Sequence, residues 1–184
     1  MDEKMSVMAM AVCALGTGIA ADSDMVIHGH YEVECLNPDG SLAWKETIEN
    51  LVPTVGKNFA LDTLLGGSAF TAAWYMGLVD GTAAPTFAAG DTAASHAGWT
   101  ENVGYSAGTR PAPSFSAASA GVKATSAAVS FTANASGTIA GCFIASSNVK
   151  SGTAGTLLSE GAFAGGSQVV SSGSIVNVSY SLSV

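Results

Sequence analysis

Few residues in this chain are equipped for chemistry, and one stretch brings several different kinds of them together. Residues 81–113 contain Asp91, His96, Trp99, Tyr105 and Arg110, which bring a carboxyl, an imidazole, two amphipathic aromatics and a guanidinium into a run without helical or strand periodicity. Long irregular connections of this kind are usually functional or packed loops. Ser95, His96 and Asp91 invite comparison with a Ser-His-Asp triad, but a triad is defined by geometry, and neighbours in sequence rarely have it. The five residues are therefore read as a candidate interaction surface. No catalytic residue is assigned, and the chain is expected not to be an enzyme.

Two other groupings could hold a ligand. His28 and His30 are two apart, with Glu32 and Glu34 continuing the row, so on an extended strand all four share one face. Imidazole and carboxylate there could ligate a metal. Plain alternation on a solvated strand gives the same row, and no metal is assigned. Gly16-Thr17-Gly18-Ile19-Ala20-Ala21 matches a loose dinucleotide fingerprint. A real one needs a preceding strand, a following helix and a βαβ context, whereas a hairpin pattern follows here. No cofactor is assigned. Cys13, Cys35 and Cys142 are odd in number and lack CxxC spacing, so they are expected to be free, mostly buried thiols. Asn134-Ala135-Ser136 and Asn177-Val178-Ser179 match the glycosylation sequon, a pattern frequent by chance.

The elements that would position these residues are mostly strands. Tyr31, Val33 and Cys35 alternate with His30, Glu32 and Glu34, Asn37-Pro38-Asp39-Gly40 supplies a type I turn, and Leu42, Trp44 and Ile48 alternate on the return, so residues 26–49 read as a hairpin. Thr54 is expected to cap a helix running to about Leu65 and ended by Gly66-Gly67. The apolar run 72–79 has the length of a strand buried on both faces. After the irregular 81–113 segment, short strands are expected at 114–118, 122–132, 138–145, 156–163 and 174–184. Val176, Val178, Tyr180, Leu182 and Val184 share one face of the last. Regular short strands between Gly, Ser and Asn turns indicate a mainly β fold. It is read as a single antiparallel β-sandwich or jelly-roll-like domain over residues 25–184, with one short helix. Residues 1–24 are expected to be an apolar N-terminal arm buried against a neighbouring subunit. Acidic Asp2 and Glu3 precede the apolar run 5–21, where a secretory signal would begin positively charged, and Gly16, Thr17 and Gly18 weaken it as a membrane span.

Composition narrows the function classes. The 184 residues are 48% hydrophobic and only 11% charged, against about 25% charged in typical soluble domains. The mean hydropathy of +0.37 rules against disorder, which requires low hydrophobicity with dense charge. A net charge of −8 with no basic stripe argues against direct nucleic-acid binding and against an anionic membrane surface. From Asn102 onward the only charged side chains are Arg110, Lys123, Lys150 and Glu160. So uncharged a surface suggests burial in an assembly.

Several segments together resemble a family of tailed-bacteriophage structural proteins. They are the Asn-Pro-Asp-Gly hairpin, Glu49-Asn50-Leu51-Val52, Gly56-Lys57-Asn58-Phe59-Ala60-Leu61-Asp62, Trp74-Tyr75-Met76-Gly77-Leu78 and, most specifically, residues 89–101 from Ala89-Gly90-Asp91 to Trp99-Thr100-Glu101. Gly155-Thr156-Leu157 and the Ser-rich strand around Val178-Ser179-Tyr180-Ser181 extend the likeness to the C-terminal half, so that it covers roughly residues 25–184. Similar proteins start near Met25, which makes Met25 either an alternative start or the end of an added arm. The resemblance implies a virion component, chiefly a capsid decoration (cement) protein that contacts the major capsid protein or other virion proteins and forms homo-oligomers. The alternative is a tail or fibre module binding a host receptor or glycan through residues 81–113, with Trp99 and Tyr105 exposed.

Overall fold

The computed structural model describes residues 27–66 and 73–184. The expected arm, the glycine motif at 16–21 and Cys13 lie outside them. Strands β1 (His28–Leu36) and β2 (Leu42–Glu49) form the expected hairpin. Its turn is closed by the Gly40 N–H donating to Asn37 O, and Asp39 Oδ1 accepts from the Ser41 N–H. Helix α1 (Thr54–Leu65) follows, then β3 (Tyr75–Asp80), β4 (Glu101–Asn102), β5 (Val122–Ala124), β6 (Val129–Thr132), β7 (Gly137–Ala145), β8 (Leu157–Ala162), β9 (Gln168–Val170) and β10 (Ile175–Ser183).

The strands make two antiparallel sheets packed as a sandwich. The first has the order β2-β1-β10-β5, with β6 on the other end of β10. The second has the order β4-β3-β7-β8, with β9 beside the start of β7. Alternation puts Tyr31, Val33 and Cys35 of β1, Ile48 of β2, and Val176, Val178 and Tyr180 of β10 inward against Met76, Leu78, Cys142 and Ile144 of the second sheet. Each fully buried large apolar side chain contributes about 1.5–3 kcal/mol relative to exposure, which makes this layer the main driving force of the fold. The strand edges are also tied across. Leu51 exchanges backbone hydrogen bonds with Glu160, and Tyr105 bridges Ala133 where the chain leaves β4 for the first sheet.

The central strands are buried on both sides because the second sheet has a cover. On its outer face Val79, Phe143, Ala145 and Leu157 form a smaller core with Trp99. Phe87 of the 81–113 segment and Val55 of α1 pack against it. The helix lies close on β8: a Cβ at Gly56 would stand 2.7 Å from Leu158 O, so only glycine fits there.

Four expectations need correction. Thr54 does not cap α1; Pro53 takes the N-cap position without a side-chain bond, and the Thr54 N–H donates to Ala89 O, anchoring the helix start to the cover. The run 122–132 is two strands, β5 and β6, because Thr125 turns its hydroxyl to the Tyr180 N–H and breaks the ladder. Residues 114–118 are not a strand but contribute one bridge, Phe115 to Thr125, with the Ser116 N–H donating to Ala124 O and Ser114 O accepting from the Ser126 N–H. β4 and β9 were not expected, being too short to show a period.

Candidate functional site

The 81–113 segment is a packed cover and not an open loop. Its first part folds on itself: Asp91 Oδ2 accepts from the Ala88 N–H, Thr92 and Ser95 exchange backbone bonds, and the Thr86 N–H donates to Gly98 O. The His96 ring stacks on Trp99 with centroids 4.0 Å apart, and its Nδ1 lies 3.0 Å from Trp99 O. Trp99 is thereby locked face-on and packs 5.0 Å from the ring of Phe143.

At the bottom of this stack is a residue that the sequence reading passed over. The Trp99 indole N–H donates to Glu160 Oε2 at 2.9 Å, and Glu160 has 0% exposure. Burial, and next the charge of Asp91, push the Glu160 carboxyl up to about 8, while the Trp99 hydrogen bond pulls the other way. Glu160 is thus held toward its protonated form, with Oε1 buried and without a hydrogen-bond partner, and Asp91 is itself only 9% exposed. A signal was available: Glu160 is the lone acid after Asn102, set in the apolar strand Leu157–Ala162.

Arg110 anchors the far end of the cover. Its guanidinium makes a two-pronged ion pair with Glu101 at 2.9 and 2.8 Å, with both side chains 4% exposed. It also donates to Ser147 O and lies 4.9 Å from the Phe143 ring centroid. His96, Trp99, Glu101 and Arg110 line a cavity of about 240 Å³. Of the residues named from the sequence, His96 and Trp99 come together, with Arg110 across the cavity, and Asp91 does not line it. Tyr105 does not join them. It lies in the main core, edge-on to Phe131, with Lys150 Nζ 3.6 Å above its ring.

The exposed aromatics expected of a recognition loop are absent at the two nominated positions, since Trp99 is 6% and Tyr105 2% exposed. The apolar outer face of the second sheet draws in the first, and the main core draws in the second. Of the five nominated residues only His96 is half-buried. Nor do Ser95, His96 and Asp91 form a triad, because His96 is engaged with Trp99, and Asp91 with the Ala88 N–H. Gly104-Tyr105-Ser106-Ala107-Gly108 spells the Gly-x-Ser-x-Gly pattern, but a nucleophile elbow joins a strand to a helix. Here no helix follows, and the Ser106 N–H is tied to Thr132 O.

The His28, His30, Glu32 and Glu34 row lies on the outer face of the first sheet. His30 Nδ1 is 2.9 Å from Glu49 Oε1, and Glu34 pairs with Lys45 at 3.4 Å and accepts from Asn177. Among the described residues no three His, Cys, Asp or Glu side chains group as a metal site would require. Cys35 and Cys142 are free and buried. No helix among the described residues is long and apolar enough to cross a membrane. Compared with known proteins, the sequence matches no family model and no curated protein.

Proposed function

We propose that the chain is a non-enzymatic structural protein of a tailed-phage virion, a decoration protein that packs on the capsid shell and stiffens it. The observation that carries this reading is how charge meets the surface. Of the four charged side chains after Asn102, Arg110 and Glu160 are buried, so only Lys123 and Lys150 remain to charge everything built from residues 103–184. That surface is instead Ser, Thr, Ala and Gly with exposed Val122, Val149, Val169 and Val184. Interface centres are depleted of charge in the same way, and about 1,600 Å² of such contact makes a stable attachment. The likeness of residues 89–101 to phage structural proteins points in the same direction. The partners would be the major capsid protein, other virion proteins and symmetric copies of this chain.

The test is to purify particles from the producing host on a density gradient and count this chain against the major capsid protein by quantitative mass spectrometry. A fixed ratio, with particles lacking the chain rupturing at lower temperature, is expected. Recovery of the chain only in the soluble fraction after gentle lysis would refute the proposal. No observation favours the fibre-module alternative, because the aromatics it relied on face inward.

A further inference from the structure

Helix α1 has two apolar sides, and the sandwich uses one of them. Val55, Gly56, Phe59, Ala60 and Thr63 are buried or half-buried, with Gly56 against Leu158 O and Phe59 edge-on to Trp74. Leu61, Leu64 and Leu65 occupy the other side at i, i+3 and i+4 and are 44%, 71% and 82% exposed. Leu64 and Leu65 are the two most exposed large apolar side chains among the described residues. Three leucines at that spacing make one continuous apolar strip, the kind of surface that marks a contact. The chain also carries a counterpart. Residues 5–21 hold no charged side chain, and Met5, Met8, Val12, Leu15 and Ile19 recur at alternating intervals of three and four, the spacing that makes one side of a helix apolar.

We propose that residues 5–19 lie along the exposed side of α1 of the same chain, antiparallel to it, and cover Leu61, Leu64 and Leu65.

The place where the described chain begins favours this occupant. Ile27 leads into β1 beside Asn50, whose N–H donates to Gly29 O, and Asn50 leads through Leu51, Val52 and Pro53 into α1. Asn50 to Thr54 spans at most about 14 Å of chain, whereas residues 20–26 reach about 23 Å when extended, so Ile19 can stand at the helix start. From there back to Met5 is about 21 Å at helical rise, against about 18 Å for α1. This direction sets Met5 and Met8 over Leu64 and Leu65. It also brings Asp22 and Asp24 to Lys57, which is exposed one turn before Leu61 on the same side. Opposite charges thus meet at the end where the segment joins the sandwich. A tether this short holds the segment at a local concentration on the order of 1 mM, which a second copy would have to exceed to take its place.

The experiment uses the full chain with carbon-13 methyls on methionine and leucine. Nuclear Overhauser contacts are expected from the Met5 and Met8 methyls to those of Leu61, Leu64 and Leu65. In a mixture of copies labelled only on methionine with copies labelled only on leucine those contacts should vanish, because segment and helix belong to one chain. Hydrogen exchange corrected for intrinsic rate should show residues 5–19 protected by about tenfold or more. Leu64→Ser with Leu65→Ser should remove that protection while β1 and β10 stay as in wild type. Should those substitutions unfold α1 itself, Met8→Ser with Leu15→Ser takes their place, acting on the segment alone, and must remove the same protection. The proposal is overturned if no such methyl contacts form, or if residues 5–19 exchange at their intrinsic rate. It is equally overturned if the contacts persist in the mixture, which gives the helix side to another copy's segment, or if Leu64 contacts Leu64 of a second copy instead.

Discussion

Removing one partner of the Arg110–Glu101 pair should cost far more than a typical ion pair is worth, and removing both should cost much less. The two side chains are 4% exposed, so solvent does not screen what remains after one is lost. In Glu101→Leu the guanidinium keeps Ser147 O but loses both carboxylate bonds and stands as an uncompensated charge against the Phe143 ring. Breaking buried pairs in this way destabilises by about 3–5 kcal/mol. Total stabilities are only about 5–15 kcal/mol, so roughly a fifth or more of the fold's margin is at stake. For a domain of this size the loss corresponds to a Tm drop of very roughly 6–20 °C. In Glu101→Leu with Arg110→Met, two charges no longer have to be desolvated, and the methionine can fill the space beside Phe143. Apolar replacement of a whole buried pair is often near neutral, so the double variant should recover about half or more of the loss. Urea denaturation of wild type, both single variants and the double variant closes the cycle. A single-variant loss below about 1 kcal/mol, the range of exposed pairs, would refute the argument that burial sets the magnitude.

Other consequences can be measured on the same protein. Gly77→Val places a Cβ 2.2 Å from the Phe143 ring, so the outer core must shift, with a loss of about 1–3 kcal/mol or more in chemical denaturation. Trp99→Phe deletes the indole donor to Glu160 Oε2; it should destabilise by about 1–3 kcal/mol and, since that bond favours the charged carboxylate, move the Glu160 titration further up, as read by carboxyl NMR. Glu160 has a folded-state value near 8 against an ordinary value of 4.5, so its contribution to stability is complete below pH 4.5 and is lost as pH rises through 8. Unfolding free energy should therefore decline by up to ~1.4 kcal/mol per pH unit across that window, a slope missing from Glu160→Gln. Cys35 and Cys142 should react with a thiol reagent only on unfolding, because both are enclosed in the main core and burial pushes the Cys142 thiol well up.

The hairpin, α1, β3 and β10 were legible because each carries a strong local signal. Tyr31, Val33 and Cys35 alternate, as do Val176, Val178 and Tyr180, and Gly66 closes the helix in the left-handed conformation. The division of 122–132 was not legible, because both pieces pair with β10 and the break answers to Tyr180, far away in sequence. β4 consists of two residues and exists only because Leu78 and Val79 offer it a partner. At the site, composition marked Asp91, His96, Trp99 and Arg110 as unusual but could not say which way they face. Facing was decided by the unfilled outer side of Val79 and Phe143, a property of the second sheet and not of the loop. Glu160 carried no mark beyond being the lone acid after Asn102, and its burial is set by Trp99 and the cover, far away in sequence.

At several points the margins of the sandwich are engaged by the chain's own backbone and side chains. Leu51 closes on β8, the Trp44 indole and Thr47 O reach the segment around β9, Tyr105 closes on Ala133, and residues 114–116 lie along β5. An unoccupied row of amides and carbonyls is what recruits a foreign strand and seeds fibrous aggregation. Where those groups are taken a foreign strand finds no partner, so at these points copies crowded at high local concentration meet through side chains and turns instead of stitching into a continuous ribbon.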